Sequence, residues 1–213
     1  MNFDRNLIDL IKEAHKWEYT DINDTHASSL SKKPKFYFTG FQWFIIFISG
    51  CIVIVCPKGI DVDFAGHVLA AMSLLVGILF SLVIFLFDKF LNIDFKPYRK
   101  SVNQHLYKYG VRLKNYFKKT IILTLYTAII AIVCIVLLSA VILCDQLSHS
   151  VNYITFICNI RMFVLFDICK VFLLFMYRII LFYFLLNFLY ITKTLITSFF
   201  DYMISEITDV NLN

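Results

Sequence analysis

Three charged side chains lie inside the last apolar segment of this chain, and their types and spacing could do chemistry within a membrane. Asp167, Lys170 and Arg178 fall within about 80° of one another on a helix that turns by about 100° per residue. A cation at the centre of a bilayer costs about 2.5–3.5 kcal/mol on insertion scales, so Arg178 should face protein or water rather than lipid. This intramembrane polar stripe therefore predicts either a polar pathway or a contact that fixes a subunit interface.

A structural interpretation of the same three residues needs no function. Asp167 would pair with Lys170 one helical turn away, and both side chains would reach the membrane interface. Arg178 would bond to backbone carbonyls or to a neighbouring helix. The other apolar segments contain no acidic residue that could pair with Arg178, which favours an intersubunit or water-facing role. Both interpretations stay open at this point.

A second set of charges lies in residues 88–119, the one long polar interruption between apolar runs. Its basic face consists of Lys96, Arg99, Lys100, Lys108, Arg112, Lys114, Lys118 and Lys119. Apolar residues recur there at steps of three or four, which predicts an amphipathic helix. This packing face consists of Tyr98, Val102, Leu106, Tyr109, Leu113 and Tyr116. Because no breaker except Gly110 follows, we expect one helix from about Tyr98 to Leu143.

The basic face has two interpretations that differ in the partner it would bind. Positive charge beside apolar runs sets the topology of a membrane protein and attracts anionic lipid. Tyrosines interleaved with the bases are also compatible with a docking surface for a cytosolic protein or for RNA. Aromatic residues at helical spacing usually pack against protein, so we expect lipid or protein, and not nucleic acid, as the partner.

Catalytic and ligand-binding motifs are missing from the sequence. There is no phosphate-binding glycine loop, no nucleophile elbow and no His or Cys spacing typical of a metal site. Arg99 and His105 resemble the R-x(4–6)-H pattern of HEPN ribonucleases, but Lys100 stands where that family usually has Asn, Asp or His. We therefore expect no enzymatic activity, no metal and no cofactor.

The elements that must position these residues are transmembrane helices. The chain is 60% hydrophobic and only 16% charged, whereas soluble domains are about 45–50% apolar and about 25% charged. Four apolar segments are long enough to cross a bilayer of about 30 Å. They cover about residues 36–56, 64–87, 120–144 and 168–191. We therefore predict an all-α protein, a bundle of four transmembrane helices with cytosolic amphipathic helical extensions.

Charge asymmetry predicts the orientation of this bundle. The two connections on the opposite side hold only Lys58 and Arg161 as bases, whereas residues 88–119 hold nine. Lysine and arginine in short loops mark the cytosolic side, so both termini should be cytosolic. The predicted parts are an amphipathic helix and loop (1–35), the membrane domain (36–196) with its basic cytosolic hairpin (88–119), and a cytosolic tail (197–213).

The cysteines leave one alternative open. All six lie in or beside apolar segments, where free Cys is usually a small buried residue. Cys56, Cys144 and Cys158 would lie near the outer face, and a disulfide among them would form if that side is oxidising.

In span number, size and basic cytosolic helices, the chain resembles small multi-span accessory and effector proteins of prokaryotic antiviral systems, including some encoded beside CRISPR nucleases. The resemblance implies an oligomeric effector in the bacterial inner membrane, one that forms a pore or depolarises the membrane. Two other functions stay open. The chain could be a non-conducting membrane anchor that recruits a cytosolic partner, or a small ion or solute transporter.

Overall fold

A computed structural model describes residues 3–18, 40–56, 59–98, 104–144, 151, 153 and 165–210. In this part of the chain the regular structure is helical, which confirms the predicted all-α class. The α-helices are α1 (Phe3–Glu18), α2 (Gly40–Val55), α3 (Val62–Leu91), α4 (Gln104–Leu143) and α5 (Leu165–Val210). A single 3₁₀ turn, Lys96–Tyr98, lies between α3 and α4.

Three of these helices are long and apolar enough to cross a membrane, which indicates a membrane protein. They are Val62–Leu91, Leu106–Leu143 and Ile168–Ile204. α2 is also apolar, but its 16 residues extend only about 24 Å, less than the hydrocarbon core of about 30 Å. The predicted first span begins at Phe36, and residues 36–39 lie outside the described part. The fourth span thus remains a prediction.

The described helices form two compact units. Unit 1 contains α1, residues 77–98, residues 104–128 of α4 and residues 190–210 of α5. Its core consists of Leu86, Leu113, Tyr116 and Phe117. The ring of Tyr202 stacks on that of Tyr116 with centroids 3.7 Å apart and planes 12° apart, so α5 is joined to α4 in this unit.

Unit 2 contains α2, residues 59–76, residues 129–144 of α4, and residues 165–189 of α5. Its core consists of Ile60, Ala65, Leu138, Val141 and Leu181. Each of the helices α3, α4 and α5 therefore contributes one part of its length to each unit. The burial of these helices differs strongly: 50% of the most apolar window of α4 is buried, but only 11% of that of α3.

The predicted long helix is confirmed from Gln104 to Leu143. Its predicted start at Tyr98 is wrong. Tyr98 lies in the 3₁₀ turn, and its ring packs 5.6 Å from that of Tyr109. In one continuous helix these two residues would be about 16 Å apart along the axis. Pro97 explains the break, because proline lacks the N–H that a helix interior requires. α5 continues beyond the predicted span, which ends at about residue 191, as far as Val210.

Candidate functional site

Arg178 is the buried one of the two polar-stripe residues whose side chains the structure describes. Its side chain is buried on α5, between Leu174 and Leu181 on the same helix face. Nη1 donates a hydrogen bond of 2.9 Å to the hydroxyl of Tyr153. The guanidinium carbon also lies 5.9 Å from the centre of that ring. One partner of Arg178 within unit 2 is therefore the neutral side chain of Tyr153.

Gly59 gives the guanidinium of Arg178 the space that it occupies. This glycine lies in the turn after α2 with a φ of +69°, a left-handed conformation that residues with a Cβ rarely adopt. A Cβ at this position would lie 2.7 Å from Nη2 and 2.8 Å from Cζ of Arg178. The C-terminal end of α2 is close in sequence, and the negative end of a helix dipole favours a nearby cation.

Of the other two members of the stripe, the structure describes only the side chain of Lys170. Lys170 is exposed on α5. Asp167 is part of the helix, but its side chain lies outside the described part of the chain. Among the described side chains, the geometry in unit 2 therefore joins Arg178 to Tyr153 and to the Gly59 turn.

Sequence reasoning missed the residues that hold Arg178. Tyr153 lies in a mixed segment between α4 and α5, and nothing in its spacing connects it to residue 178. Gly59 had a local signal, because Pro57 and Gly59 together mark a turn. Tyr177, the neighbour of Arg178, donates a hydrogen bond from its hydroxyl to the carbonyl of Leu137 on α4. These contacts hold α5 in place within unit 2.

Buried polar residues inside the apolar helices of unit 2 were also missed. Gln42 and Ser49, seven residues apart on α2, are fully buried, and Asn187 on α5 is 1% exposed. The aromatic residues of α2 lie on the outside, with Phe47 69% exposed. α2 therefore turns its polar side inward, as expected of a helix that faces lipid on its other side. The spacing of seven between Gln42 and Ser49 was a signal that could have identified this face.

The basic face of unit 1 divides into exposed and covered residues. Lys96, Lys108, Lys114 and Lys118 are exposed. Arg112 is half-buried, with its guanidinium 5.5 Å from the centre of the Tyr109 ring. Lys119 is buried, with 9% of its surface exposed. Arg99 and Lys100 lie outside the described residues.

Most of the described residues of the predicted packing face are covered by the chain itself. Leu113 and Tyr116 are buried, and Tyr109 is half-buried. They pack with Leu86 of α3 and Tyr202 of α5. Leu106 is exposed, and Val102 lies outside the described residues. Tyr98 reaches this cluster from the 3₁₀ turn, so the face is not a continuous surface of one helix.

α1 contacts α4 through a small polar cluster that the sequence did not reveal. Lys118 Nζ donates a hydrogen bond of 2.8 Å to Glu13 and also lies 5.6 Å from the centre of the Trp17 ring. His15 is 4% exposed, and its Nε2 atom lies 3.1 Å from the hydroxyl oxygen of Tyr126. Partial burial raises the pKa of Glu13, but the hydrogen bond and the positive charges of Lys118 and Lys16 lower that pKa below its usual value.

The described residues hold no group of three or more His, Cys, Asp or Glu side chains that could bind a metal ion. The cysteines described there are all free, including Cys56 and Cys144. These two therefore do not pair with each other, and Cys158 lies outside the described part.

In comparisons with known proteins, neither a family model, nor a curated protein, nor a solved structure matches this chain.

Proposed function

We propose that this chain is a homo-oligomeric membrane effector whose subunits meet through α3 and whose assembled helices form or gate a leak. The observation that carries the proposal is an uncovered row of small residues on α3. The row consists of Gly66, Ala70, Ser73, Gly77 and Ser81, which fall within about 80° on the helix. A Cβ at Gly66 or Gly77 would meet no atom of the described residues within 4 Å.

α3 packs on its own chain through a different side. The residues of α3 that are buried there are Ala65, Met72, Leu79 and Leu86. This spacing of seven lies on a face at least about 80° from the small residues. Small residues let helix backbones approach closely in lipid, where association depends on packing rather than on a hydrophobic driving force. A second copy of α3 is therefore the partner that the row of small residues fits.

The serine hydroxyl groups in this row need no hydrogen-bond acceptor from a partner. Ser73 Oγ donates a hydrogen bond of 2.9 Å to the carbonyl of Leu69, and Ser81 Oγ donates one of 3.0 Å to the carbonyl of Gly77. Both serines thus satisfy their donor groups within α3. The row can face lipid in a single subunit and a neighbouring helix in the assembly.

Matched substitutions of two adjacent alanines test this proposal. Ala70 lies in the row, and Ala71 is also exposed but lies outside it. We expect Ala70→Leu to lower the oligomeric state measured by native mass spectrometry from lipid nanodiscs, and to lower dye release from liposomes. Ala71→Leu should change neither measurement. A wild-type chain that stays monomeric in nanodiscs would contradict the proposal.

A membrane anchor is the second candidate, and the exposed lysines favour it. Most of the apolar packing face is covered within unit 1, so a cytosolic partner would bind the exposed Lys96, Lys108 and Lys114. The binding surface of that partner would be acidic. An oligomer that releases no dye would support the anchor over the leak. Lys114→Glu should then weaken salt-sensitive co-purification of the partner encoded nearby, while Ala71→Leu should not.

The biological setting that we propose is antiviral defence at the inner membrane of a bacterium, with both termini in the cytosol. Its support is the resemblance in size, span number and basic helices. Cells that express the chain with its neighbouring genes should survive phage challenge better than cells that express Ala70→Leu. Equal survival with both chains would contradict this setting.

A further inference from the structure

α1 contacts α4 through two opposite sides of the same helical turn. Glu13 and Trp17 are four residues apart and share one side, and both contact Lys118. His15 lies about 200° around the helix from Glu13 and contacts Tyr126. Ala14, between these two sides, is fully buried. The burial of Ala14 between these two contacts indicates that this face of α1 is turned toward α4, with one side toward Lys118 and the other toward Tyr126.

This contact pattern indicates that α1 lies across α4. Lys118 and Tyr126 are about 12 Å apart along α4, and a helix with its side chains is about 10–12 Å wide. A helix of that width fits between the two residues when it is turned across them. If α1 ran along α4 instead, the backbone of residues 13 to 17 would span only about 6 Å of this distance, and the side chains would have to bridge the rest.

The crossing lies where α4 changes from basic to apolar. Lys118 and Lys119 are the last charged residues, and residues 120–143 carry no charge. Because α4 is long and apolar enough to cross a membrane, its charge-free part lies in the bilayer and its last lysines lie at the headgroups. A helix that crosses α4 at this level lies parallel to the membrane surface.

We propose that α1 is an interfacial helix that binds the surface of the phospholipid bilayer. On the side that faces Tyr126 and the apolar part of α4, α1 carries Ile8 and Ile11. Ile8 is 44% exposed, and acyl chains cover it in the membrane. The side that faces Lys118 carries Asn6 and Asp9, both exposed, and faces water. The exposed Ile8 thus lies on a different side of α1 from the exposed Asn6 and Asp9, and such a division is required of a helix in the interface. The exposed Lys12 lies about 40° from Ile8, and its long stem lets its charge reach the headgroups.

The inference depends on the insertion of α4 and not on oligomer formation or a leak. Its contacts also explain how α1 is held. Glu13 and His15 fix both edges of the helix to one transmembrane partner, so the depth of α1 in the headgroup layer follows from the position of α4.

Matched tryptophan substitutions on the two sides of α1 test the depth of each side. In a Trp17→Phe, Trp43→Phe background, Ile8→Trp and Asn6→Trp each place one indole on an exposed position. In liposomes of phosphatidylcholine with brominated acyl chains, the Ile8→Trp indole should lose most of its emission. The Asn6→Trp indole should keep its emission there and should be quenched by iodide in the buffer. Equal quenching by lipid at both positions would overturn the proposal.

A second measurement uses the unmodified chain, because loss of Trp17 could itself release α1. The protein is reconstituted with a phospholipid that carries a diazirine on its acyl chain, irradiated and mapped by mass spectrometry. Label should appear at Ile8 and Ile11, and also at Ile84, which is 70% exposed on α3 and serves as the positive control. Label at Ile84 with none in α1 would overturn the proposal.

Discussion

Replacing Gly59 with alanine should destabilise unit 2, and the structure gives the size of the effect. The residue has a φ of +69°, and a Cβ there would lie 2.7 Å from Nη2 of Arg178. A left-handed conformation costs a residue with a Cβ about 1–2 kcal/mol. The second cost follows from the displaced guanidinium, which loses its hydrogen bond of 2.9 Å to Tyr153.

The hydrogen bond adds to the backbone cost because its donor is charged and buried. Hydrogen bonds to charged groups contribute about 1.5–3 kcal/mol to stability. The two costs together predict that Gly59→Ala lowers the free energy of unfolding by about 2.5–5 kcal/mol. The free energy of unfolding can be measured by titration with a denaturing detergent, using helical circular dichroism as the signal.

Two controls separate the backbone from the side-chain contribution. Gly50 lies inside α2 with no atom of the described residues within 4 Å of a Cβ, so Gly50→Ala should be neutral or stabilising by up to about 1 kcal/mol. In an Arg178→Met background the charged hydrogen bond is already absent. There Gly59→Ala should cost only the backbone term of about 1–2 kcal/mol.

Two results would refute this reasoning. If Gly59→Ala were as harmless as Gly50→Ala, the turn would not have the left-handed geometry that the structure gives it. If Gly59→Ala cost the same with and without Arg178, the guanidinium would not be held between Gly59 and Tyr153.

Two further predictions concern unit 1. A carboxylate whose pKa is lowered by folding stabilises the fold above its unfolded pKa and loses that contribution as the pH falls through the folded pKa. Docking of α1 should thus be unchanged above the usual value of 4.5 for Glu13 and weaken below it. The emission of Trp17 in a Trp43→Phe variant reports docking, and Glu13→Gln should remove this part of the acid transition. Gly110→Ala should lower the midpoint of thermal unfolding, because the added Cβ would collide with Cβ and Cγ of Tyr98. Helix propensity alone predicts the opposite, a gain of about 0.8–1 kcal/mol, so a higher midpoint would show that Tyr98 does not pack there.

The long helices could be predicted from the sequence because the patterns that indicate them are local. Uninterrupted apolar runs without proline predict α3, α4 and α5, and the absence of a breaker predicts that α5 continues into the tail. The break before α4 was harder to place. Pro97 marked it, but the apolar residues on both sides of it kept a helical spacing. The contacts of Tyr98 with Tyr109 and Gly110 show that Tyr98 does not continue the helix α4.

The partners of buried polar groups could not be predicted for a different reason. Arg178 binds Tyr153, and His15 binds Tyr126 more than a hundred residues away along the chain. A hydrogen bond between distant residues leaves no periodic signal in a single sequence. Residue type predicts that a buried polar group needs a partner, but it does not identify that partner.

Exposure explains how α5 can cross a bilayer although it contains three cations. Lys170 and Lys193 are exposed, and the 22 residues between them extend about 33 Å, close to the hydrocarbon core of about 30 Å. Arg178 is the one cation between them, and it is buried. We infer that the two lysines reach opposite headgroup layers while protein shields Arg178 from lipid. The long Arg178 side chain reaches from this buried position on α5 to the turn at Gly59, which is followed by the exposed carboxylates Asp61 and Asp63.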